Sequence, residues 1–323
     1  MSARRILVTG SSGYLGSQVV AELAARKAFA TIALDLREPA VRLPGVAYEV
    51  ADIRATEVDA IVGRHAPQVV VHLASIVTPG KNSSREFEYS VDVGGTRNLL
   101  QACVRHGVRR VIVSSSGAAY GYYPDNPEWL TEEAPIRGNE SFAYSWHKRL
   151  VEEMLSEYRE REPQLEQIVF RIGTILGATV KNQITDLFEK PRLIAIRGSD
   201  SPFVFIHDRD VVGAILHGIE SQTTGIFNVA GDGKLVIRDI AARLGKRCLV
   251  LPPGVLKAAL WLLKKLGLTQ YGPEQLDFLR YRPVLDNARL KQVFGYVPKL
   301  SSAEVFELWR ASRQKGSAPG NTA

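Results

Sequence analysis

The sequence has 323 residues, 45% of them hydrophobic, which is enough apolar material for a full core and excludes a disordered chain. Its two cysteines, Cys103 and Cys248, are far apart and have no His or Cys neighbours at ligand spacing, so neither a disulfide framework nor a metal site is expected. The net charge of +7 is concentrated late in the chain, because residues 234–323 hold 16 Lys and Arg against 6 Asp and Glu and residues 1–233 sum to −3.

The basic C-terminal part predicts a partner of opposite charge: an anionic small-molecule substrate, a membrane surface or an acidic protein. Nucleic acid is not expected, because the basic residues are spread singly through apolar segments. The first residues enter a β-type run without the pattern of a secretion signal, and the apolar stretch 255–268 is shorter than the roughly 20 residues of a spanning helix. We therefore expect a cytoplasmic protein with no transmembrane segment.

Short β-branched runs alternate with helical patterns from the N-terminus onward. In chain order the patterns predict a strand at RRILVTG, a helix over 17–26, strands at TIALDL and VAYEVADI, a helix over 56–64, a strand at QVVVHLAS, a helix over 93–106, a strand at RRVIVSSS, a helix over 144–161 and a strand at EQIVFRIG. The strands are almost continuously apolar, as expected when helices cover both faces of a sheet. The predicted fold class is α/β, a Rossmann-type doubly wound parallel sheet.

After residue 177 the alternation becomes less regular. Little periodicity is visible up to residue 201, and then FVFIH predicts a strand, 208–220 a helix and GIFNVAG another strand. The remainder is helix-rich and interrupted by Pro and Gly, which predicts a smaller C-terminal substrate lobe. The predicted division is an NAD-binding Rossmann domain over 1–178 to which 203–230 returns, a substrate lobe made of 179–202 and 231–312, and a disordered tail over 313–323.

A glycine-rich turn indicates a dinucleotide site. TGSSGYLG ends the first predicted strand and passes directly into a helix, so Gly10, Gly13 and Gly16 lie where the backbone can approach a pyrophosphate. Asp35 follows at the end of the next strand, where a carboxylate binds the adenosine ribose and repels a 2′-phosphate, which favours NAD, although Arg37 leaves NADP open. The other residues expected at the cofactor are Ser12, Tyr14, Leu15, Asp52, Ile53, Leu73, Ala74, Ser75 and Ser114. His72 is expected to be a packed strand residue.

Tyr144 and Lys148 are four residues apart on a predicted helix and therefore share one face. An ammonium in that position stabilises a phenolate and lets the tyrosine act as general acid and base at a carbinol or carbonyl. The strand ending in SSSGAAYG can place a serine hydroxyl at the carboxyl edge of the sheet, where ligands of doubly wound folds bind. Trp146 and His147 are expected to be exposed or to face the substrate, without a catalytic role.

Motifs along nearly the whole chain, from about residue 5 to 309, occur in the order found in one known family. They are TGSSGYLG, ADI, HLAS, VIVSSSGAAYG, YSWHK, FRIGTILG, FIHDRDVVGAI, GIFNVAG and RPVLDNARLKQVFGYVPKL. The chain thereby resembles the extended short-chain dehydrogenase/reductases, or NAD-dependent epimerase/dehydratase family, and DNPEWLTEEAPIRG resembles a bacterial UDP-glucose 4-epimerase-like branch. The resemblance implies that Tyr144 is the acid/base, that Lys148 also holds the nicotinamide ribose, and that Ser116 orients the substrate oxygen. It further implies that Ser114 lies beside the cofactor and that a homodimer forms through the helix over 144–161.

Three departures from the family pattern concern the substrate half of the site. Asp92 stands where the family often has Asn, and Thr174 stands where sugar-nucleotide epimerases commonly have Asn. Phe203 replaces an arginine of the family, and phenylalanine cannot clamp a pyrophosphate as a guanidinium does. Arg280 or Arg282 of the C-terminal lobe is the candidate to replace that arginine, so Ser116, Thr174, Phe203, Arg280 and Arg282 are the expected substrate contacts.

The stretch 255–268 places Lys257, Trp261, Lys264 and Lys265 on one helical face. Its other positions are aliphatic apart from one Gly. One interpretation is a lid helix that packs on the cofactor domain and exposes its lysines to solvent. The other is a basic amphipathic helix that lies on an anionic membrane surface or borders a lipid-like substrate.

The leading functional prediction is an NAD-dependent epimerase/dehydratase that acts on a nucleotide sugar through a transient keto intermediate. The alternative is an NAD-dependent dehydrogenase of an apolar secondary alcohol, similar to a hydroxysteroid dehydrogenase, which Phe203, Thr174 and the aliphatic lobe favour. A third possibility from another class is a non-catalytic nucleotide-binding protein on the same scaffold.

Overall fold

The structure is a computed structural model that describes residues 3–80, 83–268, 272–273 and 275–316. The first half of the chain forms β1 (Arg4–Thr9), α1 (Tyr14–Ala24), β2 (Phe29–Asp35), β3 (Val46–Val50), α2 (Glu57–His65), β4 (Val69–His72), α3 (Arg85–Tyr89), α4 (Thr96–Arg105), β5 (Arg110–Ser116) and α5 (Ala143–Arg161). The second half forms β6 (Glu166–Ile172), β7 (Thr174–Leu176), α6 (Gln183–Glu189), β8 (Arg192–Ile196), β9 (Pro202–Phe203), β10 (Phe205–His207), α7 (Asp208–Glu220), β11 (Gly225–Val229), β12 (Leu235–Val236), α8 (Ile237–Arg243), β13 (Arg247–Leu251), α9 (Pro253–Lys265), α10 (Gln275–Arg280) and α11 (Ser302–Gly316).

Seven strands form the central sheet in the order β3-β2-β1-β4-β5-β6-β11, and every neighbouring pair is parallel. The predicted α/β class with a Rossmann-type sheet is confirmed. The strand order reverses between β1 and β4, and ligands of such sheets bind at the carboxyl ends of the strands beside that reversal. The glycine turn after β1 is therefore at the topologically expected place.

Both faces of this sheet are buried, which explains why its strands are almost continuously apolar. In β1, Ile6 and Val8 belong to a cluster with residues of α1 and α7. Leu7 points to the opposite face and belongs to a cluster with residues of α2, α4 and α5. Alternate side chains of one strand thus fill two separate layers.

A third cluster lies in the C-terminal part of the chain and is rich in aromatic residues. Phe188, Phe203, Phe205, Phe306 and Trp309 pack together in it. Three two-stranded pairings accompany this cluster: β10 with β7, β12 with β9, and β13 with β8. The bounds of the predicted two-lobe division stay a prediction.

Three predicted segments differ from the structure. The stretch of little periodicity before residue 201 contains α6 and β8, which are seven and five residues long and therefore too short to produce a clear repeat. FVFIH is not one strand, because Phe203 pairs antiparallel with β12 whereas Phe205 begins a strand that pairs parallel with β7. The chain changes partner strands at Val204. The helix predicted over 93–106 begins as a π-helical segment, Ser90–Gly95, that continues into α4.

The C-terminal helices differ from expectation as well. α11 continues through Gly316, and the Arg313 guanidinium donates to the Val180 carbonyl at 3.0 Å, so residues 313–316 are helical where the composition predicts a disordered tail. The rest of that tail, 317–323, lies outside the described residues.

α9 does not pack on the large sheet as the lid interpretation requires, because its buried contacts are with residues of β8, β13 and α10. Within the described residues, no helix has both the length and the hydropathy of a membrane span.

Candidate active site

The glycine turn between β1 and α1 is closely packed. Gly10 has a φ of +68°, and a Cβ at this residue would lie 2.7 Å from the backbone nitrogen of Ala74. A Cβ on Gly16 would lie 2.0 Å from the Gly10 carbonyl oxygen. α1 begins with no side-chain cap and no acidic residue in its first turn, so its N–H groups are suited to an anion. These residues fit the pyrophosphate of a dinucleotide.

Asp35 lies at the end of β2 beside this turn. One oxygen of its carboxylate accepts the N–H of Ser12 at 2.9 Å, and the other accepts the N–H of Arg37 at 3.2 Å. The carboxylate is thereby fixed at the sheet edge where the adenosine ribose of a dinucleotide lies in this fold. The Arg37 residue itself is exposed.

Asp52 and Ile53 follow β3 at the same edge. The carboxylate of Asp52 pairs with the Arg54 guanidinium at 2.5 Å, and this hydrogen bond holds the pKa of Asp52 below its usual value. Ile53 is buried and packs so closely that a Cβ on Gly95 would approach it to 2.5 Å. Five of the predicted cofactor residues do not line the cavity described below, so their contact with a cofactor stays a prediction: Ser12, Asp35, Asp52, Ile53 and Ala74.

Tyr144 and Lys148 lie one turn apart at the beginning of α5. The Lys148 Nζ donates to the Ser114 carbonyl at 3.0 Å and lies 5.6 Å from the centre of the Tyr144 ring. Ser116 ends β5, and its Oγ accepts the N–H of Ala118 at 3.2 Å. All three side chains line one cavity, so the structure brings together the set that the sequence predicts. Their individual roles stay predictions.

This cavity has a volume of about 560 Å³, within the range of small-molecule sites. It extends from Gly10, Gly13, Tyr14, Leu15 and Gly16 past Leu73, Ser75 and Ser114 to Thr174 and Phe203. Among the described residues that line it, Lys148, Lys181 and Arg282 carry positive charge and none is Asp or Glu. The cavity therefore suits a ligand that is negatively charged.

Arg282 lies in the substrate half of the cavity, and its residue is only 9% exposed. Its guanidinium carbon lies 4.2 Å from the centre of the Phe203 ring and 4.1 Å from that of Phe278. Its Nε and Nη2 are buried and have no hydrogen-bond partner within the described part of the chain. Burial lowers the pKa of Arg282 to about 10, so it is still charged at neutral pH. Burying guanidinium N–H groups without hydrogen-bond acceptors costs folding free energy unless an anion binds them.

Arg280, the other candidate for this task, does not line the cavity. Its guanidinium carbon lies 4.6 Å from the centre of the Tyr281 ring, and its carbonyl accepts the Ser199 hydroxyl. The structure thus brings Thr174, Phe203 and Arg282 to the cavity with Ser116, but leaves Arg280 outside it.

His147 is 1% exposed, so the prediction that it is exposed or faces the substrate is wrong. Its Nδ1 lies 3.2 Å from Oδ2 of Asp92, and the other carboxylate oxygen, Oδ1, accepts the Ser75 hydroxyl and the Ile76 N–H. Burial raises the pKa of Asp92, but the His147 contact, the Lys148 charge and the other two donors outweigh it and lower the pKa. Trp146 does not line the cavity either and stacks with Arg149 instead.

His72 is the packed strand residue that we expect. Its ring nitrogens contact the hydroxyls of Thr9 and Thr96 at 2.7 and 2.9 Å. Complete burial is the main reason why its pKa is lowered to about 3. His72 is therefore neutral at physiological pH and has a structural contact on each side.

Sequence reasoning missed several residues that line the cavity: Tyr122, Phe142, Lys181 and Phe278. The rings of Tyr122, Phe142 and Phe278 pack on one another with centres 5.0–5.8 Å apart. Phe142 is two residues before Tyr144, so its position beside the site was open to inference from the sequence. Phe278 comes from α10, and no local pattern links it to Tyr144.

The sequence model described as "NAD dependent epimerase/dehydratase family" matches residues 6–230 of the chain. An uncharacterized protein of Mycobacterium tuberculosis is 26% identical over 94% of this chain and 82% of its own length. A UDP-glucose 4-epimerase of Bos taurus is 27% identical over 54% of this chain and 55% of its own length.

Solved structures share the fold over almost the whole chain. A UDP-glucose 4-epimerase of Thermotoga maritima, solved with UDP-glucose, is 21% identical, covers 97% of this chain and 99% of its own, and has a TM-score of 0.74. A short-chain dehydrogenase/reductase superfamily protein of Agrobacterium tumefaciens with bound NAD is 22% identical, with coverages of 97% and 98% and a TM-score of 0.73. The family model matches residues 6–230, and the glycine turn, Asp35 and the cavity fit a dinucleotide. The chain therefore belongs to the NAD-dependent epimerase/dehydratase family of extended short-chain dehydrogenase/reductases and is an NAD-dependent enzyme.

Proposed function

We propose that this enzyme converts a nucleotide sugar by oxidising one ring hydroxyl to a ketone and then reducing or rearranging the keto sugar. The observation that carries the proposal is that two buried guanidinium nitrogens of Arg282, Nε and Nη2, have no hydrogen-bond partner among the described residues, in a cavity whose described lining contains no carboxylate. A sugar nucleotide has a diphosphate that pairs with a guanidinium. The UDP-glucose 4-epimerases among the similar proteins support the same substrate class.

The chain's own residues have complementary parts in this reaction. NAD, when bound, would supply the hydride acceptor and donor that the oxidation and the later reduction require. Tyr144 accepts the hydroxyl proton during oxidation and gives it back during reduction. The Lys148 ammonium, fixed by the Ser114 carbonyl, stabilises the phenolate. The Ser116 oxygen accepts from Ala118, which leaves its own proton to donate to the substrate oxygen.

Direct incubation tests the proposal. Purified protein with NAD is mixed with UDP-, GDP- and dTDP-sugars, and products are identified by NMR and mass spectrometry. We expect an altered sugar from at least one of them, with no net accumulation of NADH if the reaction is an epimerisation. Absence of both turnover and binding across the panel would contradict the proposal.

Replacing Arg282 tests the anion contact. Arg282→Met keeps an apolar side chain between Phe203 and Phe278 but removes the charge, so KM should rise about 10- to 100-fold with a smaller change in kcat. The matched control is Arg197→Met, an exposed arginine that does not line the cavity. An unchanged KM for Arg282→Met would mean that another group holds the substrate.

The apolar lining supports a second candidate, an NAD-dependent dehydrogenase of an apolar secondary alcohol. Phe142, Phe203, Val204, Phe278 and Leu285 all line the cavity. A dehydrogenase releases NADH stoichiometrically, and absorbance at 340 nm with hydroxysteroids and other apolar alcohols detects it.

The homodimer implied by the family resemblance also stays a prediction, which light scattering of the full chain tests.

A further inference from the structure

Helix α9 is poorly covered for an apolar helix. Of its side chains, Leu256 is the buried one, and Leu260 is partly buried beside it in a cluster with Ile196 and Leu276. One turn apart, these two leucines anchor the helix to the C-terminal lobe through a single edge. Most of the remaining helix surface is exposed.

An aliphatic stripe lies on the uncovered surface. Val255, Leu262 and Leu266 are 55%, 50% and 61% exposed, and their spacing of seven and four residues places them in one row along the helix. The row is about 120°, a third of a turn, from the anchored edge, so it projects beside the lobe rather than into it. Contiguous apolar exposure of this kind marks an interaction surface.

Positive charge lies on one flank of the stripe and behind it, because Lys265 is about 80° and Lys257 about 160° around the helix from the row. Residues 240–273 contain six Lys and Arg and no Asp or Glu. Lys257 and Lys265 are exposed on α9, and Trp261, between them on the helix, is 55% exposed with the Lys265 amine 5.1 Å from its ring centre. Lysines beside apolar residues, with an exposed tryptophan, are the composition of helices that lie in a membrane interface.

The preceding strand pair repeats this composition. Leu249 of β13 is in register with Ile194 of β8, and both are exposed. Arg247 and Arg192 are the pair two residues earlier, so they lie on the same exposed face. β13 ends at Leu251 and α9 begins at Pro253, so basic and apolar exposure continues from one element into the next.

We propose that α9 docks this enzyme on an anionic lipid membrane, with Val255, Leu262 and Leu266 inserted at the headgroup level. A second copy of the chain is a poor occupant, because a two-fold contact would bring the acid-free segment 240–273 against itself. An anionic bilayer offers both an apolar layer for the stripe and phosphate charges for Lys257 and Lys265. The inference does not rest on the substrate proposed above.

Vesicle flotation of the full chain tests the inference. We expect the protein to float with vesicles of 30% phosphatidylglycerol in phosphatidylcholine, but not with pure phosphatidylcholine, and to dissociate as salt is raised. V255S/L262S/L266S should abolish flotation. K257E/K265E should weaken binding by about fivefold or more for each lysine changed.

Matched controls separate this surface from general stickiness. V41S/V293S/V297S changes three apolar residues that are 73%, 55% and 63% exposed elsewhere, and K27E/K299E changes two exposed lysines elsewhere. Both controls should float like the unaltered protein. None of these residues lines the cavity, so every variant should turn over a water-soluble substrate as the unaltered protein does. An inactive protein that still floats would contradict the proposed function and leave the membrane inference intact.

Three results would overturn the inference. The first is that the unaltered protein stays in solution at low salt in the presence of anionic vesicles. The second is that the controls lose flotation as fully as the α9 variants. The third is that light scattering detects an oligomer in the unaltered protein and a smaller species in V255S/L262S/L266S, because a second copy would then cover the stripe.

Discussion

Tyr144 is the residue to which we assign proton transfer in the proposed reaction. It shares the cavity with Ser116, and Lys148 is held one helical turn away by the Ser114 carbonyl. Tyr144→Phe keeps the ring and removes the proton-transfer group, so kcat should fall by about 10²- to 10⁴-fold while NAD affinity is retained. Steady-state kinetics and NAD titration measure the two effects.

The control for this change is Tyr158→Phe, a half-buried tyrosine farther along α5 that does not line the cavity. Its kcat should match that of the unaltered enzyme. A Tyr144→Phe enzyme with normal turnover would remove Tyr144 from the proton-transfer role.

Individual residues were predicted well where the requirement is local. The glycine turn, Asp35 and the spacing of Tyr144 and Lys148 each follow from a few neighbouring residues. His147 lies within the same motif and was predicted wrongly, because its burial depends on Asp92, 55 residues earlier in the chain. Asp92 itself stood out as a departure from the family, but the sequence gives no indication of which donors its carboxylate accepts.

At the scale of elements, Asp92 joins three parts of the fold. It belongs to the π-helical segment before α4, and it accepts from Ser75 and Ile76 after β4 and contacts His147 of α5. Asn in its place keeps one acceptor oxygen but loses the charge. Asp92→Asn should therefore lower the free energy of unfolding by about 1–3 kcal/mol at pH 7.

The pH dependence of this loss has a definite sign. The folded-state pKa of Asp92 is lowered, so its contribution is present above the unfolded value of about 3.8 and is lost as the pH falls through the folded value. Urea unfolding from pH 7 downward should show the variant and the unaltered protein converging below about pH 4. Asp125→Asn changes an exposed partner of Arg137 and should leave the free energy of unfolding almost unchanged, because solvent screens that pair. A constant difference at all pH values would exclude a charge effect of Asp92.

Long elements were predicted from the sequence more accurately than short ones. The helix over 208–220 agrees with α7 at both ends, because a 13-residue helix presents several turns of a repeat. α6 and β8 were missed because each is shorter than the window in which a period becomes visible. The division of FVFIH between β9 and β10 depends on partner strands that are distant in the chain.

At the scale of the whole molecule, NAD binding should stabilise the fold, because the cofactor binds the folded state alone. NAD at 100 times its Kd should add about 2.7 kcal/mol to the free energy of unfolding, which thermal denaturation followed by circular dichroism reports. Asp35→Asn weakens the ribose contact and should reduce the shift at the same NAD concentration. Glu38→Gln, an exposed residue paired with Arg42, is the control and should keep it. Equal stabilisation by NADP would contradict the preference assigned to Asp35.

The sequence alone determined the doubly wound sheet, the glycine turn and the spacing of Tyr144 and Lys148, because strand and helix periods and a turn that needs glycine are recorded in consecutive residues. The tertiary structure decided which distant side chains share the cavity: Phe278 and Arg282 meet Phe203 there although both lie far from it in the chain. It also decided that α9 leaves its apolar stripe uncovered, because burial depends on which neighbours the folded chain supplies. Local patterns record the conformation of a segment, whereas contacts across the chain are fixed only when the sheet and the C-terminal lobe come together.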